Sequence, residues 1–354
     1  MPSMNTSAEN ALYLAYRFAG PSADLIVPAV VLNLVALVGI VLNGTVFAVT
    51  VKSSSLRGSA NFLMALICLC ELVHQIGHTF FLVVVISGTN FVSLLTADLI
   101  MAPMIFALNC GLMAMLCAAI DRLFAVILPF KHSAIFAQYK LPYLLCHLFI
   151  CIVYGAFTVL YVLAFAFEYA DDDTTGLVAE TLQGHAWYLF IGGTFILCFC
   201  CIMCYLTIFV IIRCKNGVTQ QTNTKVLRSL IIILLINIGG YLFTLAMYQF
   251  INAFGSLFGS PIRAWQFGFI AGILLNASAG SNTIVLYFNS TEYRQVFKKE
   301  FGAMFDRFRK NNVVQTIGTV QMRNVNPSNN NNINVIRSSQ MTIIRNVNTQ
   351  IRHH

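Results

Sequence analysis

The sequence predicts an all-α membrane protein: a seven-transmembrane helix bundle, N-terminus outside, plus a short amphipathic eighth helix. Three observations predict it. The 354 residues are 58% hydrophobic and 10% charged, whereas a typical soluble domain is about 45–50% apolar and about 25% charged. Seven stretches of more than 20 residues lack Asp, Glu, Lys and Arg. The basic residues gather in alternate connections between those stretches.

The charge-free stretches are 25–51, 72–97, 99–120, 141–167, 181–212, 229–262 and 264–291. A bilayer core takes about 20 apolar helical residues, so each is long enough. In hydrocarbon only helices or closed barrels satisfy the backbone, and barrel strands alternate in polarity. These runs do not alternate, so they are helices. The second run ends in a loop, and its helix starts earlier, near Asn61, which brings Glu71 inside it.

An odd number of spans puts the termini on opposite sides, and the basic residues mark the inside. With the N-terminus outside, the inner connections hold Lys52, Arg57, Lys131, Lys140, Arg213, Lys215, Lys225 and Arg228. The outer ones hold only Arg263, and the second outer loop carries Glu168, Asp171, Asp172, Asp173 and Glu180. The pI near 9.0 follows from this asymmetry. It suits anionic lipid and gives no reason to expect nucleic acid.

Residues 1–24 read as an extracellular N-terminal tail without a signal-peptide pattern, with a glycosylation sequon at Asn5-Thr6-Ser7. Residues 25–289 form the membrane domain. Over 290–310, Tyr293, Phe297, Phe301, Met304, Phe305 and Phe308 recur at helical spacing opposite Arg294, Lys298, Lys299, Arg307 and Arg309. That is an amphipathic helix lying on a membrane surface. Residues 311–354 hold 11 Asn and no acid, which reads as a disordered cytoplasmic tail. The 11 cysteines avoid the outer segments, so no extracellular disulfide is expected. The Cys198–Cys204 cluster reads as small apolar filler.

Charge inside a span costs about 2.5–3.5 kcal/mol on insertion scales, so each case is a functional candidate. Glu71 sits mid-helix with His74 and His78 at i+3 and i+7, on one face. It is the acid of an internal polar network with Asn43 and Asn282, a proton relay, or a satisfied structural acid. No third ligand is spaced to join the histidines, so no metal or cofactor is expected. Asp121-Arg122 ends the third span, followed by Leu123-Phe124-Ala125-Val126-Ile127-Leu128-Pro129-Phe130-Lys131-His132. Pro129 breaks the helix there, and by itself the pair reads as a helix-end ion pair.

These pieces resemble rhodopsin-like (class A) G-protein-coupled receptors, and more closely nematode serpentine chemoreceptors of the Srsx class. The resemblance runs from Val38 to Phe297. It rests on Gly39-Ile40-Val41-Leu42-Asn43-Gly44, Ser55-Leu56-Arg57, Asn61-Phe62-Leu63-Met64-Ala65-Leu66 and Leu72-Val73-His74-Gln75-Ile76-Gly77-His78. Ala119-Ile120-Asp121-Arg122-Leu123 and Tyr287-Phe288-Asn289-Ser290-Thr291-Glu292-Tyr293-Arg294 complete it. The resemblance implies a plasma-membrane receptor that passes ligand binding outside to a heterotrimeric G protein inside, with arrestin as a further partner. It implies that Arg122 is the inner switch, held by Asp121 and met by Tyr205 in the active state, and that Asn43, Glu71 and Asn282 form the internal network. The basic loop Arg213–Arg228 would frame the G-protein cavity.

The chain departs from that pattern in four places. The second-helix acid is Glu71 where the pattern has Asp. Ala97 stands where the third helix usually begins with a bridged cysteine, and loop 168–185 has no cysteine to pair with it. The last helix reads Asn282-Thr283-Ile284-Val285-Leu286, with Tyr287 one place late. Leu230–Phe254 has no Trp or Pro.

The position that pairs with amines in aminergic receptors falls near Met104, between Met101 and Leu108, so no charge meets an ammonium. The last span has no lysine for a retinal Schiff base. The outer pocket is expected from Gln75, His78, Met101, Met104, Trp187, Tyr188, Tyr248, Gln249, Trp265 and Asn276, a mostly apolar set with a few hydrogen-bonding groups. That suits a small neutral molecule, or a peptide drawn by Asp171–Asp173. Trp187 and Trp265 also fit an interfacial aromatic belt. A transporter or channel is the alternative, but it would show repeated halves and interrupted helices. An enzyme would need paired catalytic groups at membrane depth; only Glu71 with His74 and His78 could serve, and no nucleophile or metal set accompanies them.

Overall fold

A computed structural model describes residues 7–214 and 221–302. Among them the chain is helical apart from two strands of two residues. In order the elements are α1 (Ser7–Tyr16), α2 (Ala23–Lys52), α3 (Ser59–Ile86), β1 (Val92–Ser93), α4 (Leu94–Ile127), α5 (Pro129–Gln138) and α6 (Lys140–Glu168). There follow β2 (Asp173–Thr174), α7 (Val178–Thr181), α8 (Gly184–Cys214), α9 (Gln221–Phe254), α10 (Pro261–Gly280) and α11 (Asn282–Asn289). The backbone is helical again over 291–302.

Among the described residues six stretches are long and apolar enough to cross a membrane: α2, α3, α4, α6, α8 and Ile262–Asn289. The remaining charge-free stretch, 229–262, falls largely on α9, where the side chains of 221–231 lie outside the described residues. The outward faces carry the same message. Leu145, Phe149, Val153, Phe157 and Leu160 stand exposed along α6, and Phe195, Phe199, Met203, Leu206 and Val210 along α8. Apolar stripes of that length are costly in water and at home in lipid. The chain is a multi-pass membrane protein.

Helix α4 runs through the middle, against α3, α6 and α8. Its buried face includes Ala107, Gly111, Ala114, Ala118 and Ala119, small residues that let neighbouring helices come close where lipid supplies no hydrophobic drive. Helix α2 packs between α3 and α10, and α9 lies against α8, α10 and α11. A close backbone approach joins α2 to α10, where a Cβ on Gly280 would lie 3.2 Å from the Gly39 Cα. Gly280→Val is therefore expected to force the two backbones apart, at about 1–3 kcal/mol of overpacking. It should lower the thermal midpoint of purified protein. Gly192→Ala, with nothing within 4 Å of the added carbon, should leave the midpoint in place.

Several expectations change. The segment predicted as an N-terminal tail contains α1, which packs on α10. Buried Asn90 ties it back, its Nδ2 donating to the carbonyls of Tyr16 at 2.9 Å and Gly20 at 2.8 Å. Asn90 does so at φ 61°, a region that Asn tolerates better than most residues. Tyr16 donates to Asp24 Oδ2 at 2.7 Å, and that hydrogen bond holds the phenol pKa above its ordinary value. Asn5 lies outside the described residues, as do 303–310 of the amphipathic segment and the tail 311–354.

The third span does end before Pro129, which sits in the first turn of α5, where its missing N–H costs nothing. The last span is interrupted at Ser281, although no proline is present. Ser278 O accepts from both Ser281 N at 3.1 Å and Ser281 Oγ at 2.6 Å. Those bonds to the residue three back tighten the turn and open the helix just before Asn282.

Candidate functional site

Three groups of polar residues lie within the bundle. The first lies at the end that carries α5. Asp121 is fully buried there. Its Oδ2 accepts from Arg122 Nε at 2.9 Å, from Arg122 Nη2 and from Ser59 Oγ at 3.1 Å. Its Oδ1 accepts from Tyr143 OH at 2.8 Å and His132 Nε2 at 3.0 Å. Arg122 Nη2 also donates to Ser59 Oγ at 3.1 Å. One carboxylate thus joins α3, α4, α5 and α6. A buried ion pair is favourable only when its remaining lone pairs are satisfied, and here Ser59, His132 and Tyr143 do so. Tyr205, on α8, is buried, and its hydroxyl has no hydrogen-bond partner.

The second group lies at mid-bundle. Asn282 Nδ2 donates to Asn43 Oδ1 at 3.2 Å, and Asn237 Nδ2 donates to Asn282 Oδ1 at 2.7 Å. Glu71 is not part of that chain of bonds. Its Oε1 accepts from Tyr241 OH at 2.9 Å, and its Oε2 lies 3.6 Å from His74 Nδ1. The expected single network of Asn43, Glu71 and Asn282 is thus two clusters, one of amides and one around the acid. Tyr241 can reach Glu71 because Gly240 precedes it: a Cβ there would drive into Ser278, so the glycine lets α9 settle onto α10.

The third group lines a cavity of about 70 Å³ at the end that carries α1 and α7. A water needs roughly 10–15 Å³ on that measure, so the space takes a molecule of several heavy atoms. Its walls are mostly apolar and include Leu32, Leu108, Leu182 and Phe269. His74, His78, Trp187, Tyr241, Tyr248 and Asn276 supply polar groups. Asn276 Nδ2 donates to Gly272 O at 2.8 Å and lies 3.0 Å from His78 Nε2.

Of the pocket residues expected from sequence, His78, Trp187, Tyr248 and Asn276 line this cavity, and six do not. Met101 and Met104 turn toward α3, against Gly77, and Leu108 one turn on takes their place. Gln75 is buried beside Gly39, its Nε2 donating to Asn276 O at 3.4 Å. Gln249 is exposed, because it sits about 100° around the helix from Tyr248. Tyr188 is likewise exposed, at 39%. Trp187 is 3% exposed, which does not fit a belt residue facing lipid, whereas Trp265 is partly exposed and donates from Nε1 to Glu180 Oε1.

The second acidic loop closes over this cavity without a disulfide; all 11 cysteines are free. In place of a bridge, β2 pairs antiparallel with β1, Val92 opposite Thr174 and Ser93 opposite Asp173. Leu94 N donates to Asp172 O at 2.7 Å. Glu180 accepts from Thr175 N at 3.0 Å and Thr175 Oγ1 at 2.6 Å as well as from Trp265. Burial, with Asp173 and Asp171 beside it, raises the pKa of Asp172.

Sequence reasoning missed Ser59, His132, Tyr143, Asn237 and Tyr241, which carry no charge to mark them in an apolar run. It also used Asp98 as a fence between two spans. Asp98 lies in the second turn of α4 and is 1% exposed, with neither oxygen hydrogen-bonded. No group of three or more His, Cys, Asp or Glu side chains is arranged to hold a metal among the described residues.

The family model for the serpentine type 7TM GPCR chemoreceptor Srsx matches residues 36–301. The match takes in the Asp121 cluster, both mid-bundle clusters and nearly all of the cavity. No curated protein matches the chain.

Proposed function

Because the chain belongs to the serpentine seven-transmembrane chemoreceptor family Srsx, we propose that it binds a small ligand in the Trp187–Asn276 cavity and activates a heterotrimeric G protein at the opposite end. In this reading the chain crosses the plasma membrane seven times, with α1 outside and α5 inside. The basic residues of the α5 side support that orientation. The segment from 290 on lies along the inner leaflet as an eighth helix, Asn5 carries a glycan, and arrestin binds the same inner face.

The observation that carries the proposal is the Asp121–Arg122 cluster. Arg122 is the transmitting residue. In the arrangement described here it is held by Asp121, which Ser59, His132 and Tyr143 fix in place. Ligand binding shifts the population toward a state in which Arg122 leaves Asp121 and meets the unpartnered hydroxyl of Tyr205. The Tyr241–Glu71 bond supports a link between the two ends, because Tyr241 both lines the cavity and holds the mid-bundle acid.

A panel of small neutral molecules and peptides, read out as calcium or cAMP in transfected cells, tests this. A response is expected, and Arg122→Ala should abolish it with surface amounts unchanged. Full signalling in that variant would overturn the role of Arg122. A ligand-dependent current without any G protein would support the transporter or channel alternative instead.

A further inference from the structure

Three buried polar atoms on the cavity wall have no hydrogen-bond partner: Trp187 Nε1, His78 Nδ1 and His74 Nδ1, the last lying 3.6 Å from Glu71 Oε2. Buried polar groups are almost always paired, so each such exception asks for an explanation. Three other polar side chains on the wall are occupied. Tyr241 OH donates to Glu71, Thr244 Oγ1 donates to Gly240 O at 2.8 Å and Ala271 O at 3.2 Å, and Asn276 is tied to Gly272 and His78. The indole of Trp187 is held edge-to-face by Tyr248, ring centroids 5.4 Å apart. An indole N–H can only donate, so the group that completes it must be an acceptor. No Lys, Arg, Asp or Glu is among the described residues lining the cavity, so nothing there balances a charged ligand.

We propose that the cavity takes a small uncharged molecule bearing an acceptor oxygen (a ketone, aldehyde or ester), whose oxygen accepts from Trp187 Nε1 while its apolar body fills the rest. This deepens the receptor reading and rests on it for the identity of the site. An alkylammonium is rejected because no carboxylate meets it. A pure hydrocarbon is accommodated but leaves the indole N–H buried and unpaired.

The test uses the full chain in lipid nanodiscs, without G protein, and two probes of one shape. These are pentan-2-one and 2-methylpent-1-ene, which differ by C=O against C=CH₂. Equilibrium binding is followed through the emission of the chain's 2 tryptophans. The ketone is expected to bind about tenfold more tightly than the alkene, the worth of about one hydrogen bond to a buried donor. Trp187→Phe keeps a ring against Tyr248 and removes the donor together with the second ring of the indole. It should bring the ratio to within about twofold of unity on that same accounting, with affinity for the alkene kept.

Equal affinity of the wild-type chain for ketone and alkene would overturn the proposal even if the variant does not fold. So would a ratio unchanged in a folded Trp187→Phe, or binding of pentylammonium as tight as that of the ketone. A ketone-selective chain that activates no G protein would sink the receptor reading and leave this inference standing. Ligand-driven G-protein activation with no ketone preference would do the reverse.

Discussion

Asp121→Asn is expected to raise nucleotide exchange on a G protein several-fold in the absence of any ligand. Both carboxylate oxygens are used: Oδ2 by Arg122 and Ser59, Oδ1 by His132 and Tyr143. Whichever oxygen becomes the amide nitrogen, a donor then faces donors, and the negative charge that held the guanidinium is gone. Even with the amide oxygen turned toward it, Arg122 keeps only neutral partners, that oxygen and Ser59, so the held state loses stability relative to the released one. Population arithmetic sets the scale. About 1.4 kcal/mol moves a two-state ratio tenfold, and hydrogen bonds to a charged group contribute about 1.5–3 kcal/mol each. Asp121→Ala goes further. It strips all four side chains of their common acceptor, and breaking a buried pair from one side costs about 3–5 kcal/mol. The Arg122 side chain is still 18% exposed, which places this variant toward the lower end of that range. Cell-surface amounts of Asp121→Ala should fall well below those of Asp121→Asn. Equal surface amounts would mean the cluster contributes little to folding.

The second large effect is expected at Glu71. Glu71→Leu leaves the buried Tyr241 hydroxyl without its acceptor and removes the carboxyl group that lies 3.6 Å from His74 Nδ1. An unmade bond to a buried group costs about 1–3 kcal/mol, so thermal unfolding of the purified chain should shift down by several degrees. Glu71→Gln keeps an acceptor for Tyr241 and is expected to stay within about 1 kcal/mol of wild type. The contrast between the two separates a structural hydrogen bond from a need for ionisation. If Gln is as damaging as Leu, the charge itself is required and the proton-relay alternative gains ground. Signalling by Glu71→Gln should persist, since the Tyr241 link from the cavity survives.

Much of the fold was legible because charge is so scarce. In an apolar chain every Asp, Glu, Lys and Arg marks a boundary or a site, and the gaps between them fall on α2, α3, α4, α6, α8 and Ile262–Asn289. Asp121-Arg122 could be singled out for the same reason. What charge does not mark was not legible. Ser59, His132 and Tyr143 meet Asp121 from 62, 11 and 22 residues away, and only packing brings them together. Helix phase defeated part of the pocket list: Met101 and Gln249 lie at a suitable depth but point to α3 and outward. The N-terminal helix was hidden because Ser7–Tyr16 is too short and mixed to signal a span. The turn at Ser281 was hidden because serine bonds do there what a proline would have announced.

The measurement that bears most directly on Arg122 as the transmitting residue needs no ligand. Nucleotide exchange on a purified heterotrimeric G protein is compared for the wild-type chain, Asp121→Asn, and Asp121→Asn combined with Arg122→Ala, at matched amounts in nanodiscs. Exchange is expected to rise several-fold in the single variant and to return to the wild-type baseline in the double. Exchange by the double variant as fast as by Asp121→Asn would show that the freed arginine is not what the G protein engages, and would contradict the account.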